Sequence, residues 1–179
     1  MPPETSMPAD RSMPTDRSVP ADTEPGMQIV HVLRAVTLEL NLLGADFAAA
    51  NGLHITDLRA IIELLDAERA GVTATPTWLG QRLQLNSASV TALADRLERM
   101  GHVQREHDAV DRRRVLITVT PSAKHLGLAF FGPLFDRING QLSGFDAAGV
   151  QAIHRFLTDL TGEITAHRQA VADQARHAS

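Results

Sequence analysis

Three successive arginines, Arg112 to Arg114, are the side chains of this 179-residue chain whose type and spacing point most directly to a chemistry. Two segments of strand-like composition, 102–107 and 114–119, flank them and predict an antiparallel hairpin with the arginines at its tip. Because the tip supplies only two carboxylates, Asp108 and Asp111, local ion pairs cannot satisfy all three guanidinium groups. Such groups bind phosphates or enter the minor groove of DNA; a solvated charged turn is the alternative.

Two short helical patterns precede the hairpin and would position it. Thr75 is predicted to cap the first helix, with Pro76 at its first position and its end near Gln84. Asn86 is predicted to cap the second helix and Gly101 to end it. The second helix should bury one apolar stripe, formed by Val90, Leu93, Ala94, Leu97 and Met100. This order of elements predicts a winged helix-turn-helix, in a mostly α chain with a small β-hairpin wing (α+β).

The other face of the second helix begins with small side chains. It carries Ser87, Ala88, Ser89, Thr91 and Ala92, followed by Asp95, Arg96 and Arg99. Small residues let a helix backbone approach base edges closely, so we expect this helix to read the major groove of double-stranded DNA. The candidate DNA-binding residues are therefore Ser87, Ala88, Ser89, Thr91, Ala92, Arg96, Arg112, Arg113 and Arg114.

Charge is distributed unevenly along the chain. The formal net charge is −4, yet residues 76–120 hold seven arginines and five acidic residues, a net charge of +2. The remaining ten basic and sixteen acidic residues leave the rest of the chain at −6. A positive segment on an acidic body favours local contact with DNA and weak non-specific affinity.

Short motifs follow one another through the same region. They are Leu79-Gly80-Gln81-Arg82-Leu83, Ser89-Val90-Thr91, Asp95-Arg96-Leu97-Glu98, Gly101, Asp111-Arg112-Arg113 and Ile117-Thr118-Val119-Thr120-Pro121. This series resembles the MarR (multiple antibiotic resistance regulator) family of bacterial transcription factors, over about residues 27–170. The resemblance implies that Arg113 reaches the minor groove and that Asp111 helps to hold the wing tip. The chain departs from the family at Ala92, where some relatives carry a base-reading arginine, and at Trp78, a position that is commonly polar.

Apolar helical stripes flank the DNA-binding lobe on both sides, at residues 29–43 and 150–164. Further helices are predicted from Thr56 or Asp57 to Glu68 and from Pro121 toward Leu142, with a kink at Gly132-Pro133. In MarR-like chains the first and last helices interlock two subunits, which implies a homodimer. The expected organisation is a dimerisation helix and connection at 27–55, the DNA-binding lobe at 56–120, dimerisation helices at 121–170 and a C-terminal tail at 171–179.

The resemblance also implies a repressor that a small molecule, often aromatic, releases from DNA by binding between the dimer helices and the lobe. Trp78 is predicted to pack in the core, and a place beside a ligand pocket is the alternative. The chain contains no cysteine, which excludes disulfides, thiolate metal sites and the cysteine-based peroxide sensing of one branch of the family.

The first 26 residues contain three copies of a six-residue unit, beginning at Met7, Met13 and Val19, and six of the nine prolines. Frequent proline and few apolar groups predict a disordered tail. Met27 is an alternative start of the natural protein.

Other function classes find little support in the sequence. It has no nucleophile elbow, P-loop, dinucleotide-binding glycine motif or H-E-x-x-H, so we expect neither an enzyme nor a bound cofactor. The eight histidines show no i, i+4 pair, which argues against a metal-sensing regulator. With no signal segment or apolar run long enough for a membrane, we expect a cytoplasmic, nucleoid-associated protein. A winged-helix adaptor that binds protein instead of an operator is the other alternative.

Overall fold

Within the part of the chain that the structure describes, helices account for most of the fold and one hairpin interrupts them. A computed structural model describes residues 25–109 and 111–177. Its elements, in chain order, are α1 (Pro25–Ala50), α2 (Ile55–Arg69), α3 (Pro76–Leu83), α4 (Ser87–Arg99), β1 (Val103–His107), β2 (Val115–Val119), α5 (Pro121–Leu142) and α6 (Ala147–His177). The order helix, turn, helix, hairpin confirms the predicted winged helix-turn-helix in a mostly α chain. The repeat-containing segment 1–24 lies outside the described residues.

The chain divides into two compact units, which meet in sequence between Leu58 and Arg59. In the first unit, Phe47 and Ala48 near the end of α1 are buried, and the side chain of Asp57 is fully buried. The Asp57 carboxylate accepts the backbone N–H of His54 at 2.9 Å, which satisfies a free donor where α2 begins. Local capping therefore sets the start of α2, within two residues of its predicted position.

The second unit contains the winged module and buries the stripe predicted for α4. Val90, Leu93, Ala94 and Leu97 are each at most 3% exposed. Strands β1 and β2 pair antiparallel, from Val103 opposite Val119 to His107 opposite Val115. The other edge of β2 is also engaged, because the N–H of Ile117 donates to the carbonyl of Ala74 at 2.9 Å. The hairpin is thereby attached to the segment that leads into α3.

Several predicted boundaries and one predicted core residue differ from the structure. Helix α1 extends beyond the predicted apolar stripe of 29–43 at both ends. Helix α6 continues to His177, so the predicted C-terminal tail at 171–179 is wrong for 171–177. Met100, predicted to lie in the buried stripe of α4, is 38% exposed; it is the C-cap residue, just past the last residue of the helix. Helix α5, in contrast, spans Pro121–Leu142 as predicted and includes Pro133.

Long helices could in principle cross a lipid bilayer. Among the residues that the structure describes, no helix is both long enough and apolar enough to do so.

Candidate nucleic-acid interface

The turn between α3 and α4 is tight, and two residues make it so. Gln84 caps α3 in the left-handed conformation, with φ of 56°. A Cβ added to Gly80 would lie 3.1 Å from both the carbonyl oxygen of Leu85 and Cγ2 of Val90. Glycine therefore permits the close approach of the two helices that a helix-turn-helix needs.

The start of α4 is capped as the sequence predicts. The side-chain oxygen of Asn86 accepts the N–H of Ser89 at 2.9 Å. Beyond this cap, the helix presents a row of small exposed residues: Ser87, Ala88, Ser89, Thr91 and Ala92. The Thr91 hydroxyl donates to the carbonyl of Ser87 at 2.9 Å. It therefore presents its lone pairs and methyl group to a partner, a pair of groups that suits base donors and the thymine methyl.

The face continues with larger polar residues toward the end of α4. Asp95 and Arg99 are exposed, and Arg96 is half-buried. Residues 87, 91 and 95 follow one another at intervals of four, so they lie in one line along the helix. This exposed face of α4, from Ser87 to Arg99, is called the reading face below. It begins with small neutral side chains and ends with charged ones.

Backbone hydrogen bonds, two of them to Asp111, order the turn at the wing tip. One carboxylate oxygen of Asp111 accepts the N–H of Arg113 at 3.1 Å, and the Asp111 carbonyl accepts the N–H of Arg114 at 2.8 Å. The ring nitrogen Nδ1 of His107 lies 3.0 Å from the carbonyl oxygen of Arg112. These three contacts use the backbone groups of Arg112, Arg113 and Arg114. The guanidinium groups of the arginines take no part in them.

The three wing arginines differ in their surroundings. Arg114 forms an ion pair with Asp108, with 3.5 Å between Nη1 and Oδ2. Arg112 and Arg113 are exposed, and within 25–109 and 111–177 neither guanidinium group has an ion-pair partner. The tip therefore presents two uncompensated cations.

One cluster between the helix and the wing was missed by sequence reasoning. The guanidinium group of Arg105 on β1 bonds both Asp95, at 2.6 Å, and Glu98 of α4. Glu98 also accepts the backbone N–H of Arg105 at 3.3 Å. Partial desolvation acts to lower the pKa of Arg105, but the hydrogen bonds and charges of the two carboxylates raise it above its usual value. The only signal in the sequence was the pair of acidic residues three apart on a helix expected to face DNA.

Trp78 is half-buried, so the prediction that it packs in the core is wrong. The guanidinium group of Arg82 lies 6.0 Å from the centre of its ring. Arg82 also holds Glu63 through two hydrogen bonds, of 2.7 and 3.2 Å, and the bond to Glu63 raises the pKa of Arg82. Arg82 thereby joins α3 to α2 and partly covers the indole.

A groove of about 1090 Å³ lies between the α3–α4 turn and the C-terminal part of α6. Its lining includes Gln81, Ser87, Thr91, Arg168 and Arg176, and it does not include Trp78. The groove reaches two residues of the reading face. Its lining mixes polar and apolar side chains and contains more basic than acidic ones.

Across the described part of the chain, no group of three histidine, aspartate or glutamate side chains is placed to hold a metal ion.

Comparison with known proteins finds similar sequences among transcriptional regulators. Residues 51–114 match the model of the MarR family. The HTH-type transcriptional regulator YcgE of Bacillus subtilis is 48% identical over 80 residues, 44% of this chain and 49% of the relative. The chain thus spans about half the length of YcgE. The HTH-type transcriptional repressor YetL of the same organism is 26% identical over 125 residues, 70% of this chain and 74% of YetL.

The fold is also found in a solved structure. A MepR mutant from a multidrug-resistant S. aureus clinical isolate superposes with a TM-score of 0.62 at 19% identity, over 76% of this chain and 96% of MepR. At this identity the likeness concerns the fold, which is the winged helix described above.

Proposed function

We propose that the chain is a DNA-binding transcriptional regulator of the MarR family, whose model residues 51–114 match, and that it binds a pseudo-palindromic operator as a homodimer and represses transcription there. The observation that carries the proposal is the pair of uncompensated arginines, Arg112 and Arg113, on a wing tip ordered by Asp111. This tip follows a helix whose exposed face is small enough to enter the major groove. The repressor assignment follows the function that the name of YetL states.

The homodimer is supported by apolar surface that one chain leaves uncovered. In α1, Ile29, Val30 and Val36 are each about half exposed, at 48–52%. In α6, Phe156, Leu157 and Ile164 are exposed to a similar degree, 45–53%. Apolar side chains repeated along two helices are costly in water and are normally covered by a partner. A two-fold dimer would present two α4 helices to half-sites with centres about 10 base pairs apart.

Roles within the interface follow from position and charge. We assign Arg113 to the minor groove, and Arg112 and Arg114 to the flanking phosphates. The small residues at the start of α4 read base edges, with Arg96 contacting the backbone at the margin of the helix. Phosphate contacts dominate affinity, whereas base contacts dominate specificity. Mutations in the wing should therefore mainly lower affinity, and mutations in α4 should mainly change the preference between duplexes.

The test is a salt titration of Arg113→Ala and Thr91→Ala against wild type, on a duplex selected from genomic fragments and on a scrambled duplex. We expect Arg113→Ala to fold normally and to weaken binding by about 1–3 kcal/mol. The slope of log affinity against log salt should become shallower by roughly one unit or less. Thr91→Ala should change the preference between the two duplexes more than the salt slope.

Two outcomes would contradict the proposal. If Arg113→Ala binds the selected duplex as tightly as wild type at every salt concentration, the wing does not act as proposed. A wild-type dimer that retards no fragment, its own promoter region included, would favour the protein-binding adaptor.

We further propose that a small effector molecule releases the protein from DNA. The groove beside the α3–α4 turn has a volume of about 1090 Å³, slightly above the usual range for small-molecule sites. Since Ser87 and Thr91 line it, an occupant would compete with DNA for the reading face. Its arginines favour an aromatic carboxylate over a neutral ring. Benzoate-type ligands should release wild type from the selected duplex, and should release Arg168→Ala less readily.

A further inference from the structure

We infer that Arg105 compensates the charge of the recognition helix: it neutralises Asp95 and Glu98, which would otherwise repel the phosphates, and it ties the wing to α4. Arg105 is thus a positioning residue and not itself a DNA contact. The inference rests on the proposed function, since it concerns how tightly the same surface binds DNA.

The geometry brings the three side chains together from two elements. Nη2 of Arg105 lies 2.6 Å from Oδ1 of Asp95, and Nη1 bonds Oε2 of Glu98. The second oxygen of Glu98 accepts the backbone N–H of Arg105 at 3.3 Å. One guanidinium group therefore engages both carboxylates, and Glu98 also satisfies a donor of β1. A planar fork with donors on two nitrogens suits this arrangement, which a single ammonium group could not reproduce in full.

The position of the acidic residues makes their charge a problem for DNA binding. Asp95 lies one helical turn beyond Thr91 and two beyond Ser87, on the line of the reading face. Its side chain is 53% exposed, and that of Glu98 is 41% exposed. An uncompensated carboxylate on this line would approach the phosphates and the electronegative base edges. With Arg105 present the three side chains carry a net charge of −1; without it they carry −2.

Stability alone gives a weak reason for such a cluster. The Arg105 side chain is 27% exposed, and ion pairs at solvent-accessible positions contribute little to the free energy of unfolding. The same bonds, however, connect the end of the recognition helix to the first strand of the wing. Electrostatics and orientation at the DNA surface therefore explain the arrangement better than folding does.

The experiment compares four proteins on the selected duplex and on a scrambled duplex. They are wild type, Arg105→Ala, Arg105→Lys and the triple variant Asp95→Asn/Glu98→Gln/Arg105→Ala. The matched control is Arg69→Ala, which removes an exposed arginine from its ion pair with Asp66 on α2. Circular dichroism and melting temperature establish that each variant is folded.

We expect Arg105→Ala to weaken binding to both duplexes by roughly tenfold, with a salt slope shallower by about one unit. The triple variant, which carries no charge at these three positions, should recover to within about threefold of wild type. Arg105→Lys should fall between wild type and Arg105→Ala because it keeps the charge and loses the fork. Arg69→Ala should bind like wild type.

The outcomes separate this inference from the function on which it rests. If wild type binds the selected duplex and the triple variant binds no better than Arg105→Ala, charge compensation is refuted while the proposed function stands. An Arg105→Ala protein that binds like wild type refutes it equally. A folded wild type that binds neither duplex overturns both.

Discussion

Asp111 offers a sharp test of the wing because its charge and its hydrogen bond have opposite effects on DNA binding. Its carboxylate accepts the N–H of Arg113 at 3.1 Å, which orders the tip, yet it also places a negative charge beside phosphates. Asp111→Asn keeps an oxygen acceptor at the same place and removes the charge. Asp111→Ala removes both. The two variants therefore have the same charge and differ chiefly in the acceptor.

The magnitude follows from the exposure of the site. Asp111 is exposed, so the bond to the Arg113 amide should contribute about 0.5–1.5 kcal/mol to tip order, as for a helix cap or a typical intramolecular hydrogen bond. In the alanine variant the wing tip must become ordered when DNA binds. The free energy of that ordering is subtracted from the binding free energy, so affinity falls. We expect Asp111→Ala to bind the selected duplex about 2–12 times more weakly than Asp111→Asn, by conversion of that energy range.

Charge should affect both variants alike. Each gains one unit of positive charge relative to wild type, so each should show a salt slope steeper by up to about one unit. We therefore expect Asp111→Asn to bind at least as tightly as wild type at low salt. Fluorescence anisotropy across a salt series measures affinity and slope together, and melting temperature should stay near that of wild type because the tip contributes no core.

Equal affinity of the asparagine and alanine variants at every salt concentration would refute the argument, since the hydrogen bond would then not order the tip. Asp111→Asn binding far more weakly than wild type would also refute it, because the carboxylate would then have a role beyond accepting that bond.

Two further predictions concern assembly and the helix turn. Light scattering at micromolar concentration should report about twice the 19.4 kDa chain mass, since the exposed apolar rows of α1 and α6 need a partner; a stable monomer with an intact helical spectrum would contradict this. Gly80→Ala should lower the free energy of unfolding by about 1–3 kcal/mol, because the new methyl meets the Leu85 carbonyl at 3.1 Å. The control Gly127→Ala, on α5 with no atom within 4 Å of the added Cβ, should be neutral or stabilising by up to about 1 kcal/mol; equal stability of the two variants would contradict the packing argument.

Much of the lobe was predictable because its signals are local. Thr75 and Asn86 cap α3 and α4 where the sequence predicts, since a capping side chain reaches only an amide three residues on. The strands begin within one residue of their predicted starts because β-branched composition and a charged loop lie side by side in the chain. Asp111 bonds Arg113 across two residues, so the wing tip too is a short-range structure.

Contacts between elements were decided by the tertiary structure. Arg105 meets Asp95 and Glu98 because β1 folds back along α4, and a separation of seven or ten residues has no fixed geometry until that packing exists. The bond of Ile117 to Ala74 depends on the same packing. Sequence alone determined which residues could cap, turn and carry charge. Which cations are neutralised, and which remain for DNA, depended on the fold, because ion pairing is set by distances in space.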